Sequence, residues 1–282
     1  MYVYLNGEIL PEQDARIPVT DRGFLLGDGV FETMRVYDGH VFRMKRHIER
    51  LFHGCERLGI LPDMEEGQIG DSVIRLLQKN GHARGDAIIR ITVSRGSGGR
   101  GIDTKGASSP TVLITSSSYS PLPEEAYLQG VRAVLSRSPI SFRGPGDGEI
   151  KPISFLPYIL QRLDHGGEGI FEVIMQNHEG YITEGTVSNI FFVKEGVLHT
   201  PSPETGLLKG VTREVVMEIA RDEGIPVREG FYRPEDLLEA QEAFITNSII
   251  EVMPLSSVDD RVLEIGTVSR KIRRLYQNVA KT

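Results

Sequence analysis

The spacing of apolar residues along this 282-residue chain changes period several times, and each change marks an element. Short alternating runs at 2–5 and 8–10 flank Asn6-Gly7, the dipeptide best suited to the left-handed backbone of a two-residue hairpin. Alternation returns over 30–37, and Asp38-Gly39 turns the chain into 41–42. Then Met44, Ile48, Leu51, Phe52, Cys55 and Leu58 recur every three or four positions, which predicts a helix over 43–58. Ile69, Val73, Leu76 and Leu77 predict another over 65–79, ended by Asn80-Gly81. Strands are expected at 87–94 and 111–116, followed by a polar, proline-bearing bridge. That bridge divides the chain into a small α/β domain, 1–117, a linker, 118–124, and a larger domain, 125–282. In the larger domain, strands are expected at 131–135, 170–175, 190–193, 197–199, 243–248, 251–255 and 262–265, with a short one delivering Glu184. Helices are expected at 211–222, 235–240 and 267–279, and the loop 142–149 sets down Lys151. The whole reads as an α/β chain of the α+β type with mixed or largely antiparallel sheets.

Composition narrows what such a chain can do. Hydrophobic residues make up 39 %, enough for a substantial core in one large or two ordinary domains. A net charge of −7 argues against a nucleic-acid surface, although a local basic patch could still recruit a small anion. Cys55 is the only cysteine, so no intrachain disulfide can form, and its place on the helical stripe makes it a core residue rather than a nucleophile. No run approaches the ~20 apolar residues of a membrane span, and the first ten residues lack a basic leader, so a cytoplasmic protein is expected. The seven histidines match no metal-binding spacing and no serine lies in a GxSxG elbow, so neither a metal site nor serine-hydrolase chemistry is expected.

The candidate chemistry begins at Lys151, a lone lysine followed by an apolar run broken only by prolines and a serine. Lost hydration there favours the neutral amine, which can attack a carbonyl. Glu184 follows some thirty residues later, and a lysine with such an acid suits an aromatic cofactor carrying an aldehyde and a ring nitrogen. The same residues also fit a lysine reaching solvent over an apolar stem and a glutamate in a turn. Gly210 before Val211-Thr212 presents bare helix-start N–H groups, a ready anion site. The loop Arg95-Gly-Ser-Gly-Gly-Arg-Gly could cradle a carboxylate or phosphate, or simply be a surface loop; it lacks the Walker ending and the dinucleotide spacing.

Four segments in order, Asp21-Arg-Gly-Phe-Leu-Leu-Gly-Asp-Gly-Val-Phe-Glu-Thr, Lys151-Pro-Ile-Ser-Phe-Leu, Gly180-Tyr-Ile-Thr-Glu-Gly-Thr-Val-Ser-Asn-Ile-Phe-Phe and Leu208-Lys-Gly-Val-Thr-Arg, resemble the signatures of the fold-type IV, class IV pyridoxal-phosphate enzymes. That family comprises branched-chain and D-amino-acid aminotransferases, amine transaminases and 4-amino-4-deoxychorismate lyase. The resemblance implies a two-domain, D-amino-acid aminotransferase-like fold with a large pyridoxal 5'-phosphate-binding domain. It implies that Lys151 carries the cofactor and moves the substrate proton, and that Glu184 pairs with the ring nitrogen. Arg50, the amides of Val211 and Thr212, Asn247 and Ser248 would serve the rest of the cofactor, and Phe155 would line it where relatives often have tyrosine. Phe31, Thr33, Arg35, Arg90, Arg95 and Arg100 would face amino and keto acid substrates, and a homodimer is implied.

The subgroup signatures are mixed. Arg35 and Arg90 resemble branched-chain aminotransferases, although Ile88 stands where those favour tyrosine. Thr33, the 95–101 loop and Thr246-Asn247-Ser248 resemble the lyase, although Arg90 replaces its lysine and Ile102 its tyrosine. An arginine near Arg95 resembles the carboxylate-binding one of D-amino-acid aminotransferases. Four arginines leave room for a dicarboxylate such as 2-oxoglutarate. The expectation is an aminotransferase, with the lyase as its alternative and an inactive binding protein as a remote third.

Overall fold

The structure, a computed structural model, describes residues 1–107, 109–139, 148 and 150–281. Apart from Gly148, the loop expected at 142–149 lies outside the described residues. The chain forms two compact units, Met1–Ser120 with Glu149–Phe155, and Pro121–Gly148 with Leu156–Thr282. The division at 120/121 falls inside the expected linker. The Lys151 segment, however, belongs to the first unit and not to the large domain. Backbone pairing is the reason: Phe31 N donates to Lys151 O at 2.9 Å and Ile153 N to Gly29 O at 3.1 Å.

The first unit contains β1 (Tyr2–Leu5), β2 (Glu8–Pro11), α1 (Arg22–Leu26), β3 (Gly29–Tyr37), β4 (His40–Val41), α2 (Met44–Leu58), α3 (Glu66–Lys79), β5 (Ala87–Ser97) and β6 (Ser109–Ser118). Its described strands make an antiparallel sheet in the order β2-β1-β6-β5-β3-β4. The hairpin turns where expected, with Asn6 at φ 47° and Gly7 at φ 102°. Val30, Met34, Val36, Ile89 and Ile91 share one sheet face and join the apolar stripes of α2 and α3 in a closed core. Successive strand residues point to opposite faces, so Phe31, Thr33 and Arg35 share the other face with Ile88, Arg90 and Thr92, which stand opposite them in register. The glycine-rich 16–31 stretch contains α1. Asp21 caps that helix by accepting from Gly23 N at 2.7 Å, and Gly27 ends it at φ 68°.

The second unit contains α4 (Glu124–Gln129), β7 (Val131–Leu135), α5 (Leu156–His165), β8 (Ile170–Gln176), β9 (Ile182–Gly185), β10 (Asn189–Lys194), β11 (Val197–Pro201), α6 (Val211–Asp222), β12 (Val227–Gly230), α7 (Pro234–Leu238), β13 (Glu242–Asn247), β14 (Glu251–Val258), β15 (Arg261–Val262) and α8 (Thr267–Ala280). The sheet runs β12-β11-β10-β13-β14-β7-β8-β9, with β15 on β14. It is mixed, since β14/β7, β7/β8 and β11/β12 pair in parallel. The strand expected at 262–265 is only Arg261–Val262; beyond it the chain leads into α8, whose start Glu242 holds through Ser269 N at 3.0 Å. The helix α5 was not legible: it follows Lys151-Pro152 and carries Pro157, and its apolar residues Leu156, Ile159, Leu160 and Leu163 face outward. No described helix is long and apolar enough to cross a membrane.

Candidate active site

In the first unit the candidate residues gather around the ring of Phe31. Pairing of 151–153 with the start of β3 sets Lys151 Nζ 4.8 Å from that ring's centroid. The Arg90 guanidinium carbon stands 3.8 Å from the same centroid, and Phe155 meets the ring edge-on at 5.2 Å. An aromatic face attracts cations, so one ring supports both an amine and a guanidinium. Partial burial lowers the Arg90 pKa, but a guanidinium remains charged at neutral pH. Thr33 stands opposite Arg90 on the same sheet face.

On the core side of β3 lies a group that the sequence reading did not single out. Glu32 is buried, and its two oxygens accept from Arg50 Nε at 2.7 Å and Nη2 at 2.8 Å. His47 Nδ1 lies 2.7 Å from Glu32 Oε2, and an ionised carboxylate only accepts, so that nitrogen carries the proton. Burial opposes the Glu32 charge, but the Arg50 guanidinium and the His47 hydrogen bond hold its pKa down to about 2. Burial, assisted by the charges of Arg50 and Lys151, lowers the His47 pKa against the pull of Glu32, so the ring is neutral at pH 7. The sequence did carry a signal: a carboxylate on the apolar face of a strand is rarely buried without a partner.

Three of the expected substrate arginines lie elsewhere. Arg95 is buried and forks onto Asp28 through Nε at 2.8 Å and Nη2 at 3.0 Å, while also donating to the Leu58 and Gly59 carbonyls. This corrects the expectation that it grips a substrate carboxylate, because all its nitrogens already have acceptors within the unit. Arg22 joins the same Asp28 at 2.7 Å and holds the glycine-rich loop through the carbonyls of Gly101 and Asp103. Burial opposes ionisation of Asp28, yet the two arginines lower its pKa. Arg35 is buried too, on Asp86 at 2.8 Å and between the rings of Tyr37 and Tyr119 at 4.5 and 4.6 Å. Arg100 is exposed on the loop.

The second unit carries the acid and the anion-binding helix start. Glu184, buried at the end of β9, accepts from Leu208 N at 2.9 Å, and Asn189 Nδ2 donates to Leu208 O at 2.8 Å. A Cβ at Gly185 would meet Glu172 Oε2 at 2.7 Å, besides Ser188 Oγ, so any side chain there has to displace these two groups. Glu172 accepts from Thr186 N, Thr186 Oγ1 and Ser188 Oγ, fixing the turn beyond Glu184. The helix α6 begins at Val211 with no side chain capping it, and Gly210 packs too closely on Asn189 Oδ1 to carry a Cβ. Asn247 Oδ1 accepts from Ile249 N and Ile250 N of its own turn at 2.8 and 2.9 Å, and Nδ2 donates across to Val187 O at 3.1 Å. It therefore shapes the turn holding Ser248.

Each unit by itself carries groups of the kinds a phosphorylated aromatic aldehyde needs: the first an amine and a guanidinium in a fixed plane, the second an uncapped helix start and a buried acid. The profile of the family "Amino-transferase class IV" matches residues 29–258. A Methanocaldococcus jannaschii protein provisionally named a branched-chain-amino-acid aminotransferase is 35% identical over 282 residues, covering 99% of this chain and 96% of its own. The aminodeoxychorismate lyase of Bacillus subtilis is also 35% identical over 282 residues, covering 99% and 94%. The branched-chain amino acid aminotransferase structure from Escherichia coli superposes with a TM-score of 0.92 at 29% identity, covering 100% of this chain and 95% of that one. The chain belongs to the class IV amino-transferase family. It is an enzyme with the two-domain, pyridoxal-phosphate-binding architecture of fold type IV.

Proposed function

We propose that the chain is a pyridoxal-phosphate-dependent aminotransferase that moves an amino group between an amino acid, of branched-chain or D type, and a 2-keto acid such as 2-oxoglutarate or pyruvate. The supporting observation is the placement of Lys151 Nζ and the Arg90 guanidinium on the one Phe31 ring, because an amino acid offers an α-carbon proton beside a carboxylate. Lys151 would hold the cofactor, and its amine would take that proton and return it as general base and acid. Arg90 holds the carboxylate, while Phe31, Phe155 and Thr33 limit the side chain accepted. Arg50, the amides of Val211 and Thr212, and Ser248 would hold the phosphate. Glu184, kept in place by Leu208 N, retains the proton on the ring nitrogen. When bound, pyridoxal phosphate would supply the electron sink for charge left on the substrate α-carbon.

With Arg35 and Arg95 spent inside the protein, Arg90 and Arg100 remain for acidic groups on the substrate, so the case for a dicarboxylate is weaker than four arginines suggested. The lyase reading, release of pyruvate and 4-aminobenzoate from 4-amino-4-deoxychorismate, is favoured by Thr33 and by the Bacillus subtilis relative, while Arg90 stands against it. A homodimer is part of the proposal. Leu156, Ile159, Leu160 and Leu163 form a solvent-facing stripe on α5 at helical spacing. In the first unit, Ile17, Val19, Phe24 and Leu113 border an apolar hollow of about 410 Å³.

The test loads the protein with pyridoxal phosphate and mixes it with single L- or D-amino acids and no keto acid. Loss of the visible band with leucine, glutamate or D-alanine, together with release of the matching keto acid, is expected and gives the handedness. No change with any amino acid, alongside pyruvate from aminodeoxychorismate, would replace the transferase with the lyase.

A further inference from the structure

A phosphate-binding arginine with a carboxylate on it is at first sight a contradiction, because the acid cancels the charge that would attract the anion. The arrangement of Arg50 removes the contradiction if its orientation matters more than its long-range field. Two parallel N–H···O contacts, Nε to Glu32 Oε1 at 2.7 Å and Nη2 to Glu32 Oε2 at 2.8 Å, fix the plane of the guanidinium. One contact would leave it free to swivel. Glu32 is itself fixed from two directions. Its backbone lies in β3, paired with β5 opposite Ile91, and its Oε2 also receives the His47 proton at 2.7 Å. His47 and Arg50 are three residues apart on α2 and so project from one face of the helix onto the same carboxylate. The side chain of Glu32 is 1% exposed and that of Arg50 11%, so water does not compete for these contacts.

We propose that Glu32, locked by His47, is a positioning residue for Arg50 that sets the guanidinium plane in which the cofactor phosphate is met. This rests on the reading of Arg50 as a phosphate ligand. Glu32 touches neither substrate nor cofactor; it acts through Arg50, and His47 acts through Glu32. The carboxylate stays ionised through the neutral range, so the clamp is permanent at working pH. A purely structural ion pair would hold α2 on β3 equally well but would have no preference between ligands with and without a phosphate.

That difference supplies the test. The full chain, freed of cofactor, is titrated with pyridoxal 5'-phosphate and with pyridoxal by equilibrium dialysis. The ratio of the two dissociation constants isolates the phosphate contact, because covalent attachment to Lys151 and the tendency of pyridoxal to cyclise are common to every variant. Glu32→Gln, which puts an amide N–H against the arginine, should cut the ratio tenfold or more, about 1.4 kcal/mol or above, while leaving pyridoxal binding near wild type. Glu32→Asp keeps the charge but draws it back by one methylene, and should lose the ratio as well. If Glu32 variants fail to fold, the His47 pair decides. His47→Asn, whose Nδ2 donates from nearly the place of Nδ1, should keep the ratio, and His47→Ala should reduce it. An unchanged ratio in Glu32→Gln and His47→Ala, with wild type clearly preferring the phosphorylated ligand, overturns the positioning role and leaves Arg50 as a phosphate ligand. A wild type that does not distinguish the two ligands removes Arg50 from the phosphate altogether.

Discussion

Glu184 Oε2 accepts a hydrogen bond from Leu208 N at 2.9 Å, and Leu208 lies two residues before Gly210, the N-cap of α6. Asn189 holds the same residue by its carbonyl at 2.8 Å. The buried acid and the uncapped helix start are therefore parts of one hydrogen-bonded segment, and a change at either is felt by the other.

Glutamine at 184 can still accept from Leu208 N. Glu184→Gln is expected to keep the fold and cofactor affinity while turnover falls at least about tenfold, the effect of 1.4 kcal/mol on a barrier. Glu184→Ala also strands the Leu208 N–H, costing about 1–3 kcal/mol of stability. Steady-state kinetics and urea unfolding of both variants separate the two effects.

Lys151 is the covalent and proton-moving residue of the proposed reaction. Reduction of the wild-type protein loaded with pyridoxal phosphate by borohydride should fix the label on Lys151, as read by peptide mass, and Lys151→Ala should lose at least about 10²-fold in turnover. A label on Lys209 instead would dismiss the assignment.

Arg90 stands at the Phe31 ring, on the exposed face of the sheet. Removing a charge-assisted contact worth about 1.5–3 kcal/mol should raise the KM for the acid substrate roughly ten- to a hundredfold in Arg90→Ala, with the melting temperature little changed.

Arg95 predicts the opposite behaviour, because its fork closes on Asp28 and two carbonyls inside the first unit. Arg95→Ala should lower stability by about 1–3 kcal/mol through the stranded acceptors, with KM unaffected. Denaturant unfolding measured beside KM decides it; a raised KM at unaltered stability would return Arg95 to the substrate.

Glu32 gives a pH signature whose sign follows from its lowered pKa. Its stabilising contribution is complete above the ordinary value of 4.5 and is withdrawn as pH falls toward about 2. Burial likewise lowers the pKa of His47, so acidification below its ordinary 6.5 also favours the unfolded chain. Unfolding free energies measured from pH 7 to pH 2.5 should show wild type losing stability more steeply below pH 4.5 than Glu32→Gln.

Much of this protein could be read from the period of its side chains. The Asn6-Gly7 hairpin, the helices α2 and α3 and the span of α6 follow from local rules: a turn needs a left-handed backbone, and an amphipathic helix must repeat every 3.6 residues. The structure alone shows the outward-facing apolar stripe of α5, the return of 149–155 to the first unit, and the partners of each charged group. Nothing near Arg95 in sequence announces Asp28, 67 residues away, and nothing near Arg50 announces Glu32, 18 residues away. Periodicity tells which side of an element seeks an apolar neighbour. A buried charge is satisfied by whichever opposite charge the folded chain brings within hydrogen-bonding distance, and that is settled by packing.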